Sequence, residues 1–545
     1  MKVSEAVARS LVADGAEVVF SLLGDTNMEI VVRLAELGVP VYETRHEATA
    51  MAMADGYARA TGKVAICSTT AGPGLAHTFV PLWSASRRVP SPVVVLTGPH
   101  SRDDIDGRQA LDHEGLVRMS SAQYLPLNSP DIAVERARAA MDLVRSRRRP
   151  VVFDIPLDVQ DQDYPWDVET REHPQWLAPQ PMAPDAQQVE AAAALLSNAH
   201  RPVIVAGGGA ASIAARDELA ALAEAAGALV ATTTNARGLF HGDPFNAGVA
   251  GLFSRDATTA LFAEADCVVA FGASMNTHTT VSGYLWPGAR FVQVNTAPPG
   301  PMENGQSPDC YVRGDAVLAA RAIRQRLVTR SDPGYRTDEV KQTLDAEVDP
   351  TEFEIEPGRV DPRQVCARID QLLPDECGFV SGAAHYWSFP QMHMSRWRDP
   401  LLYASYSGSI GYSISVGLGA ALGTGRPIVV FEGDGGFMMN PHVLDTVARS
   451  GARLLIVVMN DHALGAEFHK LRAKGLSPEL ATHPELDVAG MAALMGCRSA
   501  TVTDVDQLDG LVDEFANGAG SMVLDVKVSR NVVSRPYRRS YFGIG

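Results

Sequence analysis

The sequence predicts an α/β protein of three consecutive doubly wound parallel-sheet domains within its 545 residues. Three observations carry that expectation. Short β-branched runs of strand length alternate with Ala-rich helical stretches, the pattern of a parallel sheet covered by helices on both faces. Two proline-rich stretches, about residues 158–187 and 330–362, interrupt the alternation with linker chemistry. At roughly 100–200 residues per domain, the length leaves room for three such blocks. The expected bounds are residues 1–165, 188–330 and 360–535.

In the first block Gly15–Leu23, Val64–Thr69 and Pro92–Leu96 read as strands, and Ala48–Ala60 as a helix. The middle block opens with the strand Pro202–Ala206, which runs into Gly207-Gly208-Gly209 and a helix over Ala214–Ala226. Its later strands are Cys267–Phe271 and Arg290–Val294. The last block has a helical Val416–Leu422, strands Pro427–Phe431, Arg453–Met459 and Met522–Val526, and a helix starting near Pro441.

Composition narrows the function. With 46% hydrophobic and 20% charged residues, the chain lies far from the range of disordered sequences. Its formal net charge of −17 would repel nucleic acid and anionic lipid, so neither is an expected partner. The 6 cysteines are scattered without a C-x-x-C pair, as expected of reduced thiols in a cytoplasmic chain. Lys2, Glu5, Arg9 and Asp14 break up the N-terminus, and apolar runs such as Leu454–Met459 fall short of the roughly 20 residues a membrane span needs. No membrane association is expected.

The sharpest chemical signal is Ile428-Val-Val-Phe-Glu-Gly433-Asp434-Gly435-Gly436-Phe437, an apolar strand ending in glycines around one carboxylate. A second strand, Leu454–Met459, ends at Asn460-Asp461-His462. In a right-handed strand-helix-strand unit both strand ends lie on one edge, so Asp434 and Asn460 can meet across one site. A carboxylate and an amide oxygen suit a hard octahedral cation, with phosphate oxygens or water filling the other positions. Gly435 and Gly436 leave N–H groups open at a helix N-terminus, where phosphate is favoured. Read alone, Gly-Asp-Gly also fits a tight turn with an Asp cap. Near the N-terminus, Thr44-x-x-Glu47 reads as a capping box for the following helix.

With Gly433-Asp434-Gly435 followed after 26 positions by Asn460, the chain resembles thiamine-diphosphate-dependent enzymes of the acetolactate synthase and pyruvate decarboxylase group. The resemblance runs over nearly the whole chain and implies a pyrimidine-binding, a middle and a diphosphate-binding domain. It implies Mg²⁺ on Asp434, the Asn460 side chain and the His462 backbone carbonyl, with Gly433, Gly435 and Gly436 around the diphosphate. Arg45-His46-Glu47 ahead of Gly56-Tyr57-Ala58-Arg59 looks like the segment carrying the activating glutamate, here Glu47. Ser407-Gly408-Ser409-Ile410-Gly411 resembles the loop that folds the cofactor, with the Gly408 carbonyl as acceptor and Ile410 as wedge. Thr70-Ala-Gly72-Pro73-Gly74 matches a loop at the pyrimidine end, which makes Thr70, Pro73 and His77 cofactor contacts. His77 departs from the asparagine usual in the synthase branch.

Substrate signals are mixed. Gly24-Asp25-x-Asn27 resembles the decarboxylase branch and makes Asp25 a candidate for proton handling; His113, after Asp112, is a second catalytic candidate. Glu467 lies one position beyond a glutamate used by decarboxylases and fits a helix-face charge equally well. The resemblance therefore implies C–C bond cleavage or formation on small 2-oxo acids. Synthase-like decarboxylation with carboligation leads, and a non-ligating decarboxylase or acyloin lyase is the alternative. FAD in the middle domain is a possible cofactor that Gly272-Ala-Ser-Met-Asn276 does not favour, because it lacks the arginine of the flavin-binding branch. A nucleotide-dependent oxidoreductase has no G-x-G-x-x-G opening after the first strand to support it. The family arrangement implies a homodimer or homotetramer.

Overall fold

The computed structural model describes residues 1–87, 91–102, 106–167, 180–346, 348–404 and 406–543. They form three six-stranded parallel sheets. The first holds β1 (Val19–Ser21), β2 (Val41–Glu43), β3 (Ala65–Ser68), β4 (Val93–Thr97), β5 (Gln123–Pro126) and β6 (Val151–Asp154), in the order β2-β1-β3-β4-β6-β5. The second holds β7 (Pro202–Ala206), β8 (Leu229–Thr232), β9 (Asn246–Val249), β10 (Cys267–Phe271), β11 (Arg290–Asn295) and β12 (Cys310–Arg313), in the order β12-β11-β10-β7-β8-β9. The third holds β13 (Gly378–Ser381), β14 (Leu401–Tyr403), β15 (Ile428–Gly433), β16 (Leu454–Asn460), β17 (Arg498–Val502) and β18 (Met522–Lys527), in the order β14-β13-β15-β16-β18-β17. The outer two sheets thus share one strand order, and the middle one differs.

Central strands are buried on both faces, as continuous apolar runs require; every residue of β4, β15 and β16 is buried. The outer sheets are joined by the helices Glu47–Thr61 and Ser413–Thr424, which share one apolar core with both sheets. These helices approach backbone to backbone. A Cβ on Gly56 would lie 2.1 Å from the Val416 carbonyl oxygen, and one on Gly419 would lie 1.9 Å from that of Met53.

Three local expectations are corrected. The second linker is not free of structure: Thr337 caps a helix over Asp338–Leu344 through Val340 N–H, and Val340 and Leu344 pack into the middle domain. Pro441 precedes its helix, which spans Val443–Ser450. In the first linker Leu157–Gln160 is helical and Asp185 caps a helix from Ala186, while Pro174 and Pro179 lie outside the described residues.

Candidate active site

In the third sheet the order β14-β13-β15 makes a topological switch beside β15, the place where open α/β sheets hold ligands at the strand C-termini. Asp434 follows β15 there, and Asn460 ends the neighbouring β16, with Gly433 paired to Met459. Asp434 is the first residue of the turn Asp434–Phe437, and Gly433 is its cap, which sets aside the Asp-cap reading. Its Oδ1 accepts from Gly435 N–H at 2.9 Å. Its Oδ2 is buried and unpartnered, with His483 Nε2 3.5 Å away. Asn460 Nδ2 donates to Asp525 Oδ1 at 2.8 Å and to the Leu486 carbonyl at 3.1 Å, so the amide is oriented and Oδ1 is left buried without a partner. Two orphaned buried oxygens on adjacent strand ends are costly unless a cation takes them, which fits Mg²⁺. His462 adopts φ +50°, and its carbonyl already accepts from His483 N–H at 3.1 Å, leaving one lone pair. Burial pushes the Asp434 carboxyl up to about 6, opposed by His483 and by the Gly435 and His462 N–H groups.

Beside these ligands, Glu432 is 1% exposed and accepts hydrogen bonds from Tyr386, Ser413 and Gly433. Burial raises its carboxyl above the ordinary range and those donors oppose the shift. The loop ahead of Ser413 leaves Gly408 exposed at φ +82° and Ile410 half-buried.

The first sheet repeats the switch at β2-β1-β3. The loops after β1 and β3 meet there: Thr26 Oγ1 accepts from Ala71 N–H at 2.9 Å and lies 3.3 Å from Thr70 Oγ1. Glu47 begins its helix but does not complete a capping box. The cap is His46, whose Nδ1 accepts from Ala48 N–H at 3.1 Å, while Thr44 Oγ1 donates to backbone carbonyls. Glu47 is buried, with Oε2 3.0 Å from His77 Nδ1 and 3.9 Å from His46 Nδ1. The His46 lone pair is already spent on Ala48, so this cluster is a hydrogen-bonded group around a carboxyl and not a ready metal site. The His46 ring also stacks on His442, bringing the last domain's helix against this corner.

The structure assigns the remaining candidates different surroundings. His113 is buried: Nε2 accepts from Gly72 N–H at 3.0 Å and Nδ1 lies 3.2 Å from Asp154, which also accepts from Tyr124. Both ring nitrogens are engaged, so His113 holds the Thr70–Gly74 loop in place. Asp25 is exposed in its turn, and Pro73 is exposed at the start of the helix Pro73–His77. Glu467 is a helix-face charge 3.3 Å from Lys470. Sequence reasoning missed Glu432, Ser413, Asp525 and His483. Only the carboxyl inside an apolar strand, Glu432 or Asp525, left any trace that could have been followed.

The middle glycine run faces a cavity of about 1050 Å³ lined by Gly208, Gly209, Asn235, Gly272 and Tyr406. Gly207 and Gly209 need no ligand to explain them, since a Cβ on either would fall within 2.4 Å and 2.9 Å of Gly272 backbone atoms.

The chain matches three models of one family: "Thiamine pyrophosphate enzyme, N-terminal TPP binding domain" over residues 1–119, the central domain over 189–323, and the C-terminal TPP binding domain over 380–526. The chain belongs to the thiamine pyrophosphate enzymes. Within that family it lies in the acetolactate synthase and decarboxylase group. It is 26% identical to the "Probable acetolactate synthase large subunit" of Methanocaldococcus jannaschii, over 97% of this chain and 92% of that one. It is also 26% identical to the sulfoacetaldehyde acetyltransferase of Rhodobacter capsulatus, over 99% and 96%. The "Probable 2-ketoarginine decarboxylase" of Pseudomonas aeruginosa is 28% identical over 93% and 90%. In fold, this thiamine pyrophosphate enzyme is like a solved Mycobacterium smegmatis protein assigned to the thiamin diphosphate-dependent enzymes, with TM-score 0.80, 21% identity and coverage of 97% and 99%. Among the described residues no helix of this family member is long and apolar enough to cross a membrane.

Proposed function

We propose that this enzyme cleaves and forms C–C bonds on small 2-oxo acids, by decarboxylation followed by carboligation as the acetolactate synthases are named for. The observation that carries the reading is the pair of orphaned oxygens, Asp434 Oδ2 and Asn460 Oδ1, on adjacent strand ends at a topological switch. When bound, thiamine diphosphate would supply a carbon nucleophile and an electron sink for chemistry on a 2-oxo acid.

The chain's own residues do the rest. Asp434, Asn460 and the free lone pair of the His462 carbonyl would hold Mg²⁺, and the Gly433, Gly435 and Gly436 backbone would face the diphosphate. Glu47 would hold a proton against the pyrimidine ring, with His77 on its second oxygen. Thr70 and Pro73 would border that ring, Gly408 would accept from its amino group, and Ile410 would wedge the cofactor into its bent form. His113 acts by holding the Gly72 backbone. Asp25 is the candidate for protonating the product, and its decarboxylase-like loop favours a non-ligating 2-oxo acid decarboxylase as the second reading; an acyloin lyase uses the same machinery. FAD is not part of the reading, because glycine packing explains the middle-domain turn. A homodimer, alone or paired into a homotetramer, is the proposed working unit.

Glu47→Gln tests the mechanism. Purified enzyme with thiamine diphosphate and Mg²⁺ is given a panel of 2-oxo acids with and without aldehydes, and products are identified. Turnover of the variant is expected to fall by roughly 10²–10⁴, the usual worth of an acid–base group. Unchanged turnover would refute it. A product that joins the decarboxylated unit to the aldehyde or to a second 2-oxo acid decides for carboligation, and a simple aldehyde decides for the second reading.

A further inference from the structure

We infer that Glu432 is a positioning residue that ties the loop 406–412, with Gly408 and Ile410, to the metal turn that carries Asp434. The inference rests on the proposed reading of this sheet edge as the cofactor site. Glu432 is the penultimate residue of β15, and four neutral donors surround its carboxylate. Oε1 accepts from Tyr386 O–H at 2.8 Å and Gly433 N–H at 3.1 Å. Oε2 accepts from Ser413 Oγ at 2.6 Å and Ser413 N–H at 3.3 Å. An ionised carboxylate is acceptor-only with about four lone-pair positions, so this set fills it.

The three residues that supply these donors come from different parts of the site edge. Tyr386 lies in the turn after β13, and Gly433 leads into Asp434. Ser413 begins the helix Ser413–Thr424, whose preceding residue Tyr412 supplies no side-chain cap. Oε2 therefore satisfies an N-terminal N–H that the sequence itself leaves open. The neighbouring glycines are shaped by this hub. A Cβ on Gly382 would lie 2.4 Å from Tyr386 Oη and 2.5 Å from Ser413 Oγ; one on Gly436 would lie 2.4 Å from Glu432 Oε1. From the other side, Asn440 Nδ2 donates to the Gly411 carbonyl at 2.8 Å. The C-terminal end of the loop is thus held twice, at Gly411 and Ser413, by residues on either side of the metal-ligand turn.

Glu432→Gln tests this with little change in volume. The amide places an NH₂ group where Oε2 accepts; the Ser413 hydroxyl can rotate to accept from it, but Ser413 N–H cannot. Amide hydrogen exchange in the cofactor-free protein is expected to speed up about tenfold over 407–413 and to stay unchanged over 465–473. In the loaded enzyme kcat is expected to fall about 10- to 100-fold, as misplacement of bound groups does, with KM within about twofold. Ser413→Ala, which removes only one of the four contacts, should move both readouts the same way by less. Unchanged exchange over 407–413 in both variants would overturn the inference. So would exchange that rises evenly across the whole domain, the result of general destabilisation. The exchange readout needs no cofactor, so it stands apart from Glu47→Gln: if that variant keeps full turnover, the functional reading fails while the loop tie is still measured.

Discussion

His469 is a buried side chain that no polar group serves: both ring nitrogens lack partners, and its ring lies 4.3 Å from that of His385. Burial pushes its pKa down to about 4, and that of His385 well below the ordinary value. An unfolded histidine titrates near 6.5, so between about 6.5 and 4 the unfolded chain binds the extra proton. Stability is therefore lost as pH falls through that window and is unaffected by this residue above it. His469→Leu keeps the volume and removes the titration. At pH 5 the variant is expected to be more stable than the parent by about 2 kcal/mol, with a flatter dependence of the urea midpoint on pH. Parallel midpoint curves for the two proteins would contradict the assignment. The same scale shows what a sequence can reveal. Asp434, Asn460 and Glu47 were legible because each stands in a dense local pattern at a strand or helix end. His483 and Asp525 were not, because their meaning comes from a neighbour in space: one faces Asp434 Oδ2 and the other orients the Asn460 amide.

Among the elements, the pair Glu47–Thr61 and Ser413–Thr424 matters most, since one carries Glu47 and the other follows the cofactor-folding loop. Both helices are buried nearly all round, which only a helix packed on every side can afford. Their backbones touch because Gly56 and Gly419 have no side chains. Gly419→Ala places a methyl group 1.9 Å from a backbone oxygen that cannot swing aside, and is expected to destabilise by about 2–3 kcal/mol. Gly510 is the control: it lies in the helix Gln507–Asn517 with nothing within 4 Å of its Cβ position, so Gly510→Ala should stabilise by about 0.5–1 kcal/mol. Urea unfolding of the two variants checks the opposite signs; equal effects would show that the helix contact is looser than drawn. Most central strands were legible as unbroken apolar runs, but β6, β8 and β13, buried throughout and only four residues long, were not. Edge strands β2, β5, β12 and β17 were not, because their half-exposed faces mix polar and apolar residues and read as loop.

At the scale of the molecule, three blocks are not three equal partners. The outer two share a strand order and one continuous core through the helix pair, so neither can shed the other without exposing apolar surface. The middle sheet has two cores of its own, one on each face. Its ties to the last domain are both polar and apolar: Arg237 donates to the Met394 carbonyl at 2.7 Å, Arg535 and Arg539 pair with Asp256, the Phe253 and Trp387 rings meet edge to face at 4.9 Å, and Trp397 packs on the first middle core. Its own two cores bury far more apolar side chains than these contacts do. The middle domain is therefore expected to fold alone, but not with the bounds that proline content suggests. Ending it at residue 330 removes Tyr335, Val340 and Leu344 from the second core, and leaves Arg255 without the Leu344 carbonyl that it meets at 2.9 Å. A fragment of residues 182–346 should unfold cooperatively by circular dichroism, and one of 188–330 should be less stable by several kcal/mol, since each large apolar side chain lost costs about 1.5–3. Residues 1–165 alone should aggregate, because the Ala50, Met53 and Ala54 face of their long helix would lose its partner. If the shorter middle fragment melts at the same temperature as the longer one, the helix Asp338–Leu344 is a linker after all and the domain ends where its prolines begin.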